Sequence, residues 1–580
     1  MPSAAKDDSD GPRASEAEGF ATTRQRLDAA GATAVFAATT LFMLIAAYPR
    51  QWTLGLLIND EYWHAQLARN LFEGRGYVSN VMYPLQASAV DSLPVPEPMK
   101  QAGYQLLTAL AWLLTGESVR AMLVVAALGL AGFAASVYLL ARHLGWSRGM
   151  SLFVVGATVL HPIMAQYGVQ ALPESLYFAC FTLTLLAILR GTTRDIVAAG
   201  ALNAALMLVK GHGLIYLPLF AAFLWVRGSG SIGEALRPTA AKLRAAGAYV
   251  GMVFATLIVA SWVLPAGSIQ LFNASGTYSH GLLIEVGRIT SDVPYLSVDP
   301  PAAWAYIAEH PDEYLGKVAR MVRRTKLMVN ALSGPAMAGI LFPALILSCL
   351  LLVFDTLRPG RFLPGATEGE HGTGGEHSRE TRAGGHRGSS AEPYLLFIAV
   401  IGWSLMVFWP IYLSARFIAH TLPLMLLICL YVGSRLAPLA RPLPAALRRT
   451  AVVAAVVYLV AYPAAATLWE SYRSPMKRIG SLLAVRYVDY ARVADNVEAF
   501  VAPEAVIVSD MAHEIAWLTG SRGIIFPNTE GDLEYLISRF DVEALYEHPR
   551  FARDWPLIRE RFTLVDDAHG KLWVRRPQQE

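Results

Sequence analysis

Charge is scarce in this sequence. Asp, Glu, Lys and Arg make up 16% of the 580 residues while 54% are hydrophobic, against about 25% charged residues in ordinary soluble domains. A soluble globule of this length would need more charge to cover its surface, so that class is excluded. The balance of sign is slight as well: 48 basic against 45 acidic residues leave a net +3, which is no electrostatic footprint for nucleic acid. Cysteine is almost missing. Cys180, Cys349 and Cys429 all lie inside apolar runs, which excludes a disulfide framework and a thiolate metal site and leaves them as small buried hydrophobes. Residues 1–28 open on a polar, mixed-charge stretch without an early apolar core or a small-residue cleavage site. They read as a disordered cytoplasmic tail, not a cleaved signal peptide.

What the sequence has in abundance is uncharged apolar runs. They recur near 29–49, 119–141, 149–168, 171–190, 195–210, 212–226, 245–265, 331–355, 394–414, 416–434 and 450–469, most of them close to the roughly 20 residues that cross a bilayer. The expected fold is therefore a mainly α polytopic membrane protein, with a bundle of about eleven transmembrane helices over residues 29–469. With the N-terminus cytoplasmic, nearly every short inner loop carries Arg or Lys, for example Arg142 and Arg148, Arg190 and Arg194, and Arg435, Arg441, Arg448 and Arg449. That placement satisfies the positive-inside rule. An odd number of spans then puts residues 470–580 outside.

Hydrophilic segments interrupt the bundle. External loops are expected near 50–118, around the Pro-rich SLPVPEPMK, and near 266–330, ending in the basic amphipathic YLGKVARMVRRTK, which suits lipid headgroups. The cytoplasmic stretch 357–393 is rich in Gly, Glu, Ser and Arg and reads as a disordered linker, its three histidines included. Residues 470–580 change character again. AVIVSD, GIIFP, DVEALYEH and the pair FTLVDD/KLWVRR predict strands, and HEIAWLTG and DLEYLISRF predict helices, which together make a small extracytoplasmic α/β domain.

Because charge is scarce, its position at the outer span ends is informative. Asn59-Asp60-Glu61-Tyr62-Trp63-His64 follows the first span. Asn59 as an N-cap with two acids in the first turn is ordinary helix chemistry; paired carboxylates above a membrane are equally a general base or cation site. Glu174, in LPES at the outer end of the fourth span, suits a helix start after Pro173, and an ionisable group at the edge of an apolar helix is also a functional candidate. Lys210 and His212 sit in the turn between the fifth and sixth spans, and Arg416 opens the tenth. Such cations either snorkel to the interface or form a phosphate subsite, with Lys100 as a further candidate. His161, within the third span, reads as a hydrogen-bonded core residue.

The Asp-Glu pair, the following Tyr and the tract ARNLFEGRGYV resemble the first external loop of bacterial GT-C membrane glycosyltransferases of the protein-mannosyltransferase-like and aminoarabinose-transferase-like group. PESLYFACFTLTLLAIL is similar to that group's second acidic motif, and ARFIAHTLPLMLLICL to its late Arg-containing helix. The resemblance implies an inverting hexosyl- or pentosyltransferase that moves a sugar from a polyprenyl phosphate or pyrophosphate to a glycan, lipid or protein acceptor. It also implies a place in the bacterial cytoplasmic membrane, with the reaction on the outer side. Carried over by residue, Asp60 matches the catalytic carboxylate with Glu61 beside it, Glu174 the second acid, and Arg416 a basic residue near the lipid phosphate. Lys210 is placed by position, before the sixth span; His212 stands where many members have other residues. Lys100, Tyr62 and His64 complete the expected substrate-binding set.

The chemistry is consistent with that assignment. A phosphate leaves as an anion, so the reaction needs a base for the acceptor and positive charge for the leaving oxygen. Asp60 and Glu61 are also the oxygen donors that a hard divalent cation such as Mg or Mn would choose, although the sequence requires none. The alternative class is a secondary transporter or lipid-linked-glycan flippase, for which short Gly-interrupted spans are a marker. Against it, the acids lie at span ends and no internal repeat is present.

Overall fold

The structure, a computed structural model, describes residues 11–47, 56, 58–97, 100–229, 232–264, 296–299, 303–333, 338–357, 391–411, 415–440, 442, 444–465, 490–548, 553–567 and 570–576. Nearly all of the linker expected at 357–393, much of the loop expected at 266–330, and residues 470–489 lie outside them.

All of the apolar runs read from the sequence fall largely on helix. In chain order the helices are α1 (Gly11–Ala47), α2 (Asn59–Phe72), α3 (Gly103–Thr115), α4 (Val119–His143), α5 (Arg148–Val159), α6 (Pro162–Gly168) and α7 (Glu174–Arg190). They continue as α8 (Thr193–Val209), α9 (Tyr216–Val226), α10 (Ala240–Val263), α11 (Pro311–Ser333), α12 (Ala338–Leu357), α13 (Glu392–Ile411), α14 (Leu422–Leu436) and α15 (Ala445–Val456). Among the described residues, six helices are long and apolar enough to cross a membrane. Several other runs are shorter because breakers divide them. Pro162 starts α6 where the 149–168 run would have continued α5, Gly191 ends α7 in a left-handed conformation, and a 3-10 turn over Gly211–Ile215 precedes α9. Large apolar side chains such as Leu114, Trp262, Leu347 and Val452 remain exposed, as they must in a multi-pass membrane protein whose outer surface meets lipid.

The bundle packs around α4, which lies against α1, α5 and α7. In lipid, close backbone approach stands in for the hydrophobic drive, and Gly129 provides it: a Cβ there would fall 2.8 Å from the Leu176 amide nitrogen. Ser175 Oγ then donates to the Ala126 carbonyl at 2.8 Å, seating the first turn of α7. At the other end of α7, Arg227 donates to the Ile188 and Leu189 carbonyls at 2.8 Å each, a cation on the negative end of the helix dipole.

Above the bundle the chain forms α16 (Tyr490–Phe500), α17 (Ala512–Thr519) and α18 (Glu530–Arg539) against one sheet. Its strands are β2 (Val81–Met82), β4 (Val506–Ser509), β5 (Arg522–Ile525), β6 (Val542–Glu547), β7 (Phe562–Asp566) and β8 (Lys571–Arg575); the short β1 (Val78–Ser79) and β3 (Val95–Pro96) pair separately. The order is β2-β5-β4-β6-β8-β7, parallel from β2 to β6 and antiparallel through β8 and β7. The elements expected from the late sequence are all present. What the sequence did not announce is β2, a strand from the loop between α2 and α3: the Gly523 amide donates to the Asn80 carbonyl at 2.9 Å. Met82, Ala87, Leu93 and Val95 join Val508, Ile524, Leu533 and Leu545 in one core. The first loop and the C-terminal segment are thus packed as one outer layer.

Candidate functional site

Five charged side chains from five separate segments meet where the outer layer joins the bundle. Asp60 sits in the first turn of α2 and Lys100 just after the Pro-rich loop. Glu174 starts α7, Lys210 closes α8, and Arg416 lies in the short helix Ala415–Ile418 before α14. Lys100 Nζ donates to Asp60 Oδ1 at 2.8 Å, and Arg416 Nη1 donates to Asp60 Oδ2 at 2.7 Å. Through its Nε the same guanidinium bonds Glu174 Oε1, which also accepts from Lys210 Nζ at 2.8 Å. The result is an alternating row, Lys100, Asp60, Arg416, Glu174, Lys210, with one more cation than carboxylates. Glu174 is fully enclosed, whereas the Asp60 side chain is 26% exposed and Arg416 28%. The row is therefore open at its centre. Burial raises the Asp60 pKa, but Lys100 and Arg416 outweigh it and hold the carboxyl well below its usual range.

Local packing fixes each member. Gly103, at the start of α3, lies so close to α8 that a Cβ would sit 2.7 Å from the Leu208 carbonyl oxygen, two residues from Lys210. The Lys100 amide donates to Glu97 Oε1 at 2.9 Å, Trp63 Nε1 donates to Glu97 Oε2 at 2.8 Å, and Lys100 Nζ lies 4.2 Å from the Trp63 ring centroid. Four residues beyond Arg416, buried His420 pairs through Nε2 with Tyr216 Oη at 2.6 Å, and Tyr216 pairs with Ser404 at 2.7 Å. These bonds tie the helix break that carries Arg416 to α9 and α13.

The remaining expected site residues are placed differently. Glu61 is next to Asp60 in sequence but turned away from the row. Its two oxygens accept from the Ile58 amide at 3.1 Å and the Ala171 amide at 2.8 Å, so it ties the α2 start to the chain before α7. That disposition does not fit a metal held between Asp60 and Glu61. Asp60 already faces two cations, and among the described residues no group of three His, Cys, Asp or Glu converges. Tyr62 Oη donates to the Leu56 carbonyl at 2.8 Å and its ring meets Tyr490 edge-on. Tyr62 is thus engaged in packing. Buried His64 pairs through Nδ1 with the Gln105 amide at 2.7 Å; burial and Lys100 push its pKa down to about 3, so it is neutral. The His212 ring meets the stacked Phe408 and Phe417 rings edge-on. His161 caps α6, accepting from the Ile163 amide.

No family model matches this sequence, and no curated protein matches it. In structure, the chain is similar to ArnT from Cupriavidus metallidurans bound to undecaprenyl phosphate, at a TM-score of 0.54 and 13% identity over 94% of this chain and 98% of that one. It is also similar to the apo oligosaccharyltransferase of Archaeoglobus fulgidus, at a TM-score of 0.52 and 13% identity over 94% and 75% of the two chains. Both are GT-C glycosyltransferases. The chain has the GT-C fold.

Within this GT-C fold, the outer layer brings in residues that sequence reasoning left out of the site. The His513 ring stacks on Trp63 at 4.5 Å between centroids. Arg69 Nη1 donates to the Trp517 carbonyl at 2.9 Å, and its guanidinium lies 3.6 Å from the centroid of the same Trp517 ring. Helix α17 therefore docks on α2, next to Asp60. Glu514 follows His513; burial pushes its pKa up to about 7, with the Asp60 charge adding to the rise. In the sequence, His513 and Glu514 are marked only as the start of the expected helix HEIAWLTG.

Proposed function

We propose that this protein transfers a sugar from a polyprenyl phosphate carrier to a hydroxyl-bearing acceptor on the extracytoplasmic side of the membrane, with inversion. The observation that carries the reading is the Arg416 fork spanning Asp60 and Glu174, flanked by Lys100 and Lys210. A row with surplus positive charge at the mouth of an apolar bundle suits a lipid phosphate, whose oxygens accept forked donors from Arg and point charge from Lys. The ArnT neighbour is bound to undecaprenyl phosphate, which favours the same carrier class here.

The row also supplies a sequence of events. With both oxygens bonded to cations, Asp60 is a weak base. A donor phosphate competes for Arg416, and as the guanidinium turns to the phosphate, Asp60 loses a partner and its proton affinity rises. Asp60 then accepts the acceptor hydroxyl proton while the acceptor oxygen bonds to the anomeric carbon. The carbon–oxygen bond to phosphate breaks, and its electron pair leaves on the phosphate oxygen facing Arg416 and Lys210. Glu174 holds those two cations in place and does not touch the proton. A single displacement from the face opposite the phosphate inverts the anomeric carbon.

The test is turnover in the absence of any gradient. Protein in sealed and in detergent-permeabilised proteoliposomes is supplied with undecaprenyl-phosphate sugars and envelope acceptors. A transferase releases undecaprenyl phosphate and glycosylated acceptor in both preparations, whereas a transporter or flippase only moves the lipid across the sealed bilayer and forms no product.

A further inference from the structure

The seam between α2 and α17 holds buried polar groups that sugar transfer, as described above, leaves unused. Gln66 shares the α2 face of Tyr62, Trp63 and Arg69, because residues three and four apart align on a helix; through Trp63 and Arg69 this face meets α17. The Gln66 side chain is buried, and neither its Oε1 nor its Nε2 has a hydrogen-bond partner. Across the seam, both ring nitrogens of buried His513 are unpaired, and so is Glu514 Oε2. Buried polar atoms are bonded in the great majority of cases, so unpaired ones on the two helices of one seam are open to a partner from outside the chain.

The chemistry of the set selects that partner. Gln66 offers two donors and an acceptor, a neutral imidazole one of each, and a protonated carboxyl a donor. Burial and Lys100 push His513 down to about 3, and burial pushes Glu514 up to about 7, so near neutral pH His513 is uncharged, Glu514 is about half protonated, and the set holds no cation. A phosphate would call for donors and cations alone. Mixed donors and acceptors of low charge match vicinal hydroxyls, each of which both gives and takes a hydrogen bond. The location fits as well: the Trp63 ring under His513 is the ring beside Lys100 Nζ, and Lys100 holds Asp60 at 2.8 Å.

We propose that the α2–α17 seam binds the hydroxyl groups of a saccharide through Gln66, His513 and Glu514. The saccharide is either the sugar leaving the lipid phosphate or the acceptor glycan beside it; the inference rests on the transferase reading. Outer layer and membrane bundle then share one substrate, and α17 is part of the site.

Apolar near-isosteres test it in the full-length protein: Gln66→Leu, Glu514→Leu, and His513→Phe, which keeps a ring on Trp63. Each is titrated with bare undecaprenyl phosphate and with undecaprenyl phosphate carrying glucose, mannose, galactose, arabinose or N-acetylglucosamine; turnover with envelope acceptor and the melting temperature are then measured. If the seam holds the donor sugar, affinity for the preferred glycosylated carrier falls at least about tenfold, while bare carrier binds as before and melting does not fall. If it holds the acceptor, donor affinity is kept and the acceptor KM rises by a similar factor. Unchanged donor and acceptor parameters overturn the proposal, as does a lowered melting temperature in all three variants, which marks a packing role. A wild type that binds no carrier at all overturns the transferase reading itself, and the seam assignment with it.

Discussion

Arg416 is where the account is most exposed to test. Replacing it with Ala removes the fork that spans Asp60 and Glu174. A hydrogen bond to a charged group contributes roughly 1.5–3 kcal/mol, and each 1.4 kcal/mol is about a factor of ten in affinity. The side chain is 28% exposed, which weakens the interaction toward the lower end, so affinity for undecaprenyl phosphate should fall about 10- to 30-fold. Arg416→Lys restores the charge without the fork: it reaches one carboxylate or the phosphate and should recover part of the loss. Stability also responds. Glu174 is fully buried and would be left with Lys210 alone, a cost of about 2 kcal/mol, below the 3–5 kcal/mol of a wholly unpaired buried charge. The assay is titration of purified protein with undecaprenyl phosphate, alongside a melting curve to separate binding from folding. Ala and wild-type affinities within twofold of each other would refute the phosphate subsite.

Three further outcomes follow from the same geometry. Glu61→Gln exchanges a carboxylate that accepts two backbone amides for a group with one acceptor oxygen; stability should fall by about 2 kcal/mol while donor affinity stays unchanged, and a loss of turnover in the folded variant would mean that Glu61 takes part in the chemistry. Glu514 binds its proton more tightly in the folded protein, near 7 against the ordinary 4.5, so stability drops as pH rises through that window, by about 3 kcal/mol in all. Glu514→Gln should flatten the melting temperature between pH 5 and 7, and equal slopes in both proteins would contradict the assignment. Arg69→Ala removes the clamp on Trp517; hydrogen exchange in α17 should quicken while α7 stays protected, and equal protection of α17 in both proteins would show that the clamp does not hold the outer layer.

Much of this was legible in the sequence because charge is so sparse. Asp60, Glu174, Lys210 and Arg416 stand at ends of apolar runs, and Pro173, Gly211 and Gly213 mark those ends, so chain order and orientation alone placed them on one side. Glu61 shows the limit of adjacency. Its neighbour Asp60 is one helical step away, about 100° around the axis, and that rotation takes Glu61 out of the row and onto the Ala171 amide. The two-residue strand β2 is too short for an alternating pattern, so its place in the C-terminal sheet left no local trace. His513 and Glu514 lie some four hundred and fifty residues from Trp63 in the chain. Only the docking of α17 on α2 makes them neighbours of the site, and no spacing rule encodes that.

In the proposed transfer from a polyprenyl phosphate Asp60 accepts the proton, and Asp60→Asn probes that step when binding and turnover are measured on the same sample. The amide keeps the shape and one acceptor oxygen for Lys100 or Arg416 but is no base. Undecaprenyl-phosphate sugar should bind within a fewfold of wild type, because a less firmly held Arg416 remains available to the phosphate, while transfer falls by roughly 10²- to 10⁴-fold. Transfer at wild-type rate by a variant that binds donor normally would contradict the claim.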